Sequence, residues 1–140
     1  MILSSCQKKH ETKFQIIKDF NAQKKEYRTD TIQLENVSTE GGELISYHNN
    51  SDILCLDFFI YGETGKLNYT YFTDKKLNII FVVKKDYRYD QPITEENLKV
   101  DSIVHYVDYQ KSPKLYDENG QVINNKNTTE IIFFILVPIL

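Results

Sequence analysis

Ile53-Leu54-Cys55-Leu56-Asp57-Phe58-Phe59-Ile60-Tyr61, then Gly62-Glu63-Thr64-Gly65, then Lys66-Leu67-Asn68-Tyr69-Thr70-Tyr71 decide the fold of this 140-residue chain. Leu54, Leu56, Phe58 and Ile60 take every second position, and Asp57 marks the alternate face as the wetter one. Leu67, Tyr69 and Tyr71 alternate in the same way with Lys66, Asn68 and Thr70. A side-chain period of two belongs to a strand. Two such runs joined by a short glycine-bounded turn form a β-hairpin.

The same pattern extends in both directions. Ile32 and Leu34 alternate with polar neighbours upstream, and His48–Asp52 forms the turn before Ile53. Thr73–Lys76 is the next turn. Leu77, Ile79, Phe81 and Val83 then alternate with Asn78, Ile80, Val82 and Lys84, so this strand is expected to be covered on both sides. Pro92 ends strand pairing, Thr94 caps a short helix through Leu98, and Ile103–Tyr109 forms a further strand. A tyrosine precedes an aliphatic residue by six positions at Tyr47/Ile53, Tyr61/Leu67, Tyr71/Leu77 and Tyr116/Val122. These pairs are expected to face each other across successive hairpins, each contributing about 0.2–1 kcal/mol.

Before the strands, Glu11 to Tyr27 reads as a helix. Phe14, Ile17 and Phe20, with Ile16 beside them, form a narrow apolar stripe, and lysines fill the other face. Lys, Glu and Gln favour a helix, and neither Gly nor Pro interrupts it. The fold expected is α+β: this helix packed on a single curved antiparallel meander of about six strands.

Composition bounds the function. The net charge is −3 and the pI about 5.6, which argues against a nucleic-acid partner. From Gln7 to Arg28, however, seven basic residues stand against three acidic ones, +4 in all, so the rest of the chain carries −7. Abundant Lys, Asn and Ile beside a single alanine, Ala22, reflect an AT-rich coding bias.

No catalytic constellation is recognisable, and the protein is read as a non-enzyme without a cofactor or bound metal. His10, His48 and His105 lie in no nucleophile or zinc motif. His48, with Asn49, Asn50 and Asp52, reads as part of a polar turn, and His105 as a half-exposed strand residue. Asp57, a carboxylate among large apolar neighbours, is the one candidate site carboxylate, although an open sheet face explains it more simply. Cys55 reads as a buried free thiol; a bridge to Cys6 would require an oxidising compartment. Tyr69, Tyr71, Tyr87, Tyr89, Tyr106 and Tyr109, interleaved with Lys84, Lys85 and Arg88, could line one aromatic face for sugars or peptides, although packing accounts for them more readily.

Leu3-Ser4-Ser5-Cys6 matches the tetrad read by bacterial lipoprotein processing, which makes Cys6 the lipidated residue. Only Met1 and Ile2 precede it, too little for the apolar core of an export signal. Residues 1–10 are therefore read as a truncated signal remnant and tether, and 11–140 as a single α+β domain. The basic stretch after Cys6 fits a second attraction to anionic lipid. The apolar run Ile131–Leu140 is too short for a spanning helix and reads as a final strand buried on both faces, or as the scar of a clipped gene.

Tyr116-Asp117-Glu118-Asn119-Gly120-Gln121-Val122 resembles a unit of MORN-type hairpin repeats. Ser38-Thr39-Glu40-Gly41-Gly42-Glu43, Tyr61-Gly62-Glu63-Thr64-Gly65-Lys66 and Tyr87-Arg88-Tyr89-Asp90-Gln91-Pro92 resemble landmarks of small uncharacterised lipoproteins from Bacteroidetes-type bacteria. That resemblance covers roughly residues 38–125. It implies a helix-plus-meander domain, exported, lipidated and facing the periplasm, with a binding or structural role. It transfers no catalytic residue. In the same light, Asp30-Thr31-Ile32 and Asp101-Ser102-Ile103 look like O-glycosylation sites of such bacteria. The expected partners are the membrane, through the lipid anchor, and a protein or glycan ligand. The competing expectation is a small cytoplasmic interaction protein of the antitoxin or immunity type.

Overall fold

The computed structural model describes residues 14–92, 94 and 96–124. Helix α1 covers residues 14–23 and tightens into a 3-10 turn at Lys24–Glu26. Among the described residues seven strands follow: β1 (Arg28–Leu34), β2 (Gly42–Asn49), β3 (Asp52–Gly62), β4 (Gly65–Thr73), β5 (Ile79–Tyr89), β6 (Val100–Asp108) and β7 (Lys114–Tyr116). Each strand pairs antiparallel with the next, in the order β1-β2-β3-β4-β5-β6-β7. The result is a curved, open meander carrying one helix, the α+β architecture expected, with the three-residue β7 taking the count past six.

The apolar stripe of α1 docks as anticipated. Phe20 is buried with Tyr47, Cys55, Phe72, Phe81 and Val83, and Phe14, Ile16 and Ile17 pack around them. Phe20 meets Tyr47 and Phe72 edge-on at ring distances of 5.1 and 5.4 Å. Tyr27 lies past the helix in extended conformation, short of the expected helical limit. The opposite face of the sheet has its own core of Phe58, Tyr69, Tyr71, Val82, Val107 and Leu115. Phe81, Val82 and Val83 are buried in succession, so β5 is indeed covered on both sides.

Two-residue loops join β2 to β3 (Asn50-Ser51) and β3 to β4 (Glu63-Thr64). This loop length corrects the expected tyrosine–aliphatic pairs. Residues opposite each other across a two-residue loop are separated by an odd number, so a spacing of six cannot pair directly. Tyr61 faces Lys66 instead of Leu67. A bulge after Tyr47 sets it against Cys55 instead of Ile53. Tyr71 sits between Leu56 and Val82, while Leu77 belongs to the turn before β5. Only Tyr116 and Val122 pair as expected, because the five residues between them fold as a loop closed by Asp117, Gly120 and Gln121.

Two glycines permit close approach between strands. A Cβ on Gly42 would overlap the Phe59 carbonyl oxygen, and one on Gly65 the Tyr87 carbonyl oxygen. The segment expected to form a short helix is a turn at residues 94, 96 and 97, where Asn97 takes a φ of 61°. The described residues contain no helix long and apolar enough to cross a membrane.

Candidate binding site

Asp57 is the first site residue whose setting differs from expectation. Its strand position does place it opposite Leu56 and Phe58, but that face is covered by α1 instead of being open. Asp57 is 6% exposed. Thr70 Oγ1 donates to its Oδ1 at 2.5 Å, and the Lys24 ammonium lies 3.8 Å from Oδ2. Lys24 also sits over the Tyr47 ring, 5.0 Å from its centroid. Burial works against the Lys24 charge, yet the Tyr47 hydroxyl, Asp57 and Cys55 together hold its pKa above the ordinary value. Asp57 is thus a buried anchor for the end of the helix.

Past the flank of α1, the same face of the sheet changes character. The register aligns Phe59, Asn68 and Lys85 in one row across β3, β4 and β5. The next row is Tyr61, Lys66 and Tyr87. The Phe59 and Tyr61 rings lie nearly parallel, 12° apart with centroids 6.2 Å apart. Tyr61 Oη donates to Glu43 Oε1 at 2.6 Å, which fixes the ring; burial, then that carboxylate, pushes its pKa up to about 12. Lys66 stands 4.8 Å above the Tyr87 ring, within cation–π range. A cavity of about 240 Å³ runs from Ile17, Asn21 and Lys24 on the helix side to Asn68, Lys85 and Tyr87. Asn68 is 6% exposed, its Nδ2 reaching the Phe58 carbonyl oxygen only at 3.5 Å.

The three segments that carry the lipoprotein resemblance meet at this end of the sheet. Ser38 Oγ lies 2.9 Å from the Gly41 carbonyl oxygen and 2.6 Å from that of Tyr61, within donating reach of both. The Tyr89 amide donates to the Thr64 carbonyl oxygen at 2.9 Å. Tyr61, Lys66, Tyr87 and Tyr89 border a groove of about 590 Å³. The tyrosines do not share one aromatic face; they are divided between the two faces of the sheet, most of them in its packed clusters. Tyr69, Tyr71 and Tyr109 belong to the core away from the helix, whereas Tyr106 packs beneath it and Tyr87 lines the cavity at its flank.

His48 has neighbours that its sequence context did not reveal. Its Nε2 lies 2.8 Å from Ser46 Oγ and 3.2 Å from Asp30 Oδ2. Both address Nε2, so Ser46 and Asp30 do not stand on opposite ring nitrogens, as a proton relay between them would require. The Ser-His-Asp triad needs one partner on each nitrogen. His105 is half-buried in β6, opposite Lys84. Burial, then the Lys84 charge, lowers its pKa. Cys55 is a free thiol, fully buried, and burial raises its pKa far above the usual thiol value. No group of three or more His, Cys, Asp or Glu side chains stands within reach of one metal ion among the described residues. Cys6, His10 and Ile131–Leu140 lie outside the described residues.

Phe59 and Asn68 were not singled out by sequence reading, and Lys85 was noted only as interleaved charge. The signal that could have found the row is the two-residue loop, which fixes the pairing of Phe59 with Asn68 once the turn is placed. No family model matches this chain, and neither the curated proteins nor the solved structures yield a significant match.

Proposed function

We propose that this protein is a small binding domain, without catalytic activity, held at the periplasmic side of the envelope membrane by a lipid on Cys6. The observation that carries a binding role is the Phe59–Tyr61 pair. Two parallel rings on a central strand, one tied by its hydroxyl to Glu43, stand beside Lys66, Lys85 and Asn68. Recognition groups mounted on rigid strands hold their geometry without an ordering cost on binding. The tether is supported by the Leu3–Cys6 tetrad and by the basic stretch behind it, of which Lys18, Lys25 and Arg28 are exposed. Cationic side chains beside a lipid anchor strengthen attachment to anionic membranes.

The tether is tested by expressing the gene with its own upstream DNA and fractionating the cells. The expected result is protein in the membrane fraction, with an N-terminal peptide whose mass carries acyl chains on Cys6. Cys6→Ser should release it. A soluble, unmodified chain beginning at Met1 would overturn the tether and favour the cytoplasmic interaction protein.

A further inference from the structure

We infer that the cleft at the flank of the helix binds the acidic sugar residues of a glycan, with the Phe59 ring as the stacking surface and Lys85 as the carboxylate partner. The inference rests on the binding role proposed above and names its ligand class.

Charge comes first. Lys24 is paired with Asp57, while the Glu43 carboxylate, which accepts from the Tyr61 hydroxyl, keeps its charge. Lys85 is half-buried, lines the cavity, and forms no ion pair with the described residues. With Lys66 in the next row, two ammonium groups stand here against the one carboxylate of Glu43, a net positive charge on a chain whose total is −3. A half-buried ammonium without a counter-ion calls for an anion, and a charge-assisted hydrogen bond to a carboxylate supplies it.

Shape selects among anions. Phe59 lines the cavity and offers an apolar ring to the C–H face of a sugar, while the Tyr61 ring in the next row stacks against it. The cavity, about 240 Å³, is smaller than the usual range for drug-sized ligands and suits one ring with its substituents. The Asn68 amide on its floor can serve ring hydroxyls. An extended peptide fits less well. The backbones of β3, β4 and β5 are paired on both sides, so a peptide main chain would find no strand edge here.

The test measures binding of the full chain to polygalacturonate and to the same polymer fully methyl-esterified, which keeps the ring and removes the charge. Binding to the acid form is expected, with at least a ten-fold loss for the ester. Lys85→Met and Phe59→Leu should each weaken binding about ten-fold or more while the unfolding midpoint confirms a folded domain. Lys25→Met, an exposed lysine on the 3-10 turn, should leave it within about two-fold and so controls for diffuse charge attraction. Equal binding of the ester, or equal effects of Lys85→Met and Lys25→Met, would overturn the inference. Binding of the ester alone, lost in Phe59→Leu, would overturn the acidic ligand while leaving the binding role intact. No binding of either polymer overturns the inference too, whereas the tether is read independently by fractionation.

Discussion

The Lys24 ammonium, on the turn that ends the helix, stands 3.8 Å from the Asp57 carboxylate in mid-β3; Asp57 is buried, Lys24 half-exposed. Removing either partner leaves a different group unmatched. Asp57→Ala leaves the Thr70 hydroxyl without its acceptor and Lys24 without its counter-charge, whereas Lys24→Met leaves a buried carboxylate held by Thr70 alone. Each change is expected to cost about 1–3 kcal/mol, the usual range for a buried polar partner left unmatched. A double-mutant cycle by urea unfolding should return a coupling above about 0.5 kcal/mol. Additivity within about 0.3 kcal/mol would mean that the pair is incidental.

Alkaline pH should unfold the domain through its tyrosines. Burial raises the pKa of Tyr47, Tyr69, Tyr71 and Tyr106, and pushes Tyr109 up to about 12. Each holds its proton more tightly in the folded state than in the unfolded chain. Their contribution is complete below the ordinary tyrosine value of 10 and is lost as pH rises towards about 12. Unfolding midpoints should therefore be flat up to about pH 9 and fall beyond it. Phenolate absorbance should show buried tyrosines ionising together with the loss of structure. Independent ionisation of every tyrosine near its ordinary value, in a folded protein, would contradict their burial.

Histidine gives the acid side. His105 has a pKa below its ordinary value through burial and the neighbouring Lys84 charge. The unfolded chain then takes up the proton first, so stability should fall as pH drops below about 6.5 towards the folded-state value. Lys84→Met removes one of the two causes and should shrink that loss. An unchanged acid limb in Lys84→Met, measured against wild type at equal ionic strength, would exclude the charge as a cause.

Local features of the fold were legible and register was only partly so. The stripe Phe14, Ile16, Ile17 and Phe20 follows from helical spacing within one element, and it docks as read. The turns follow from Asn, Asp and Gly at short range. The wet face assigned to Asp57 failed because alternation separates two faces without saying which one a distant helix will cover. The tyrosine spacing failed for a different reason: a constant interval of six says nothing about loop length, and the two-residue loop shifts Tyr61 onto Lys66. The row Phe59, Asn68 and Lys85 depends on two consecutive registers, so the site became visible only when both were fixed. Ser46 and His48 reach Asp30 across a strand pair that the weak alternation of β1 did not define.

The helix should be held chiefly by Phe20. Its ring is buried, edge-on to Tyr47 and Phe72 and stacked with Tyr27 at 5.7 Å. Phe20→Ala removes all three contacts and opens a cavity over Cys55, a change expected to cost about 3–5 kcal/mol. Near-ultraviolet circular dichroism should lose intensity as the aromatic cluster loosens, and Cys55 should become reactive to a thiol reagent. A loss under about 1 kcal/mol with Cys55 still protected would show that α1 is held by other contacts.

Leu77 offers the opposite prediction, a gain. It occupies the left-handed region at φ 65° and is 57% exposed, so its side chain bears a backbone penalty with little burial in return. Left-handed backbone costs an L-residue about 1–2 kcal/mol, and Asn tolerates it best after Gly. The turn itself is secured by other groups. Asp74 accepts from the amides of Lys76 and Asn78, and the Leu77 amide donates to the Asp74 carbonyl oxygen at 3.0 Å. Leu77→Asn and Leu77→Gly should therefore each stabilise the domain by about 0.5–1 kcal/mol. Leu77→Ala keeps the same strain and should give no gain. Leu77→Pro loses both the amide and the permitted φ and should cost more than about 2 kcal/mol. Thermal unfolding of the four variants orders them, and a gain for Ala equal to that for Asn would locate the penalty in the exposed side chain instead of the backbone.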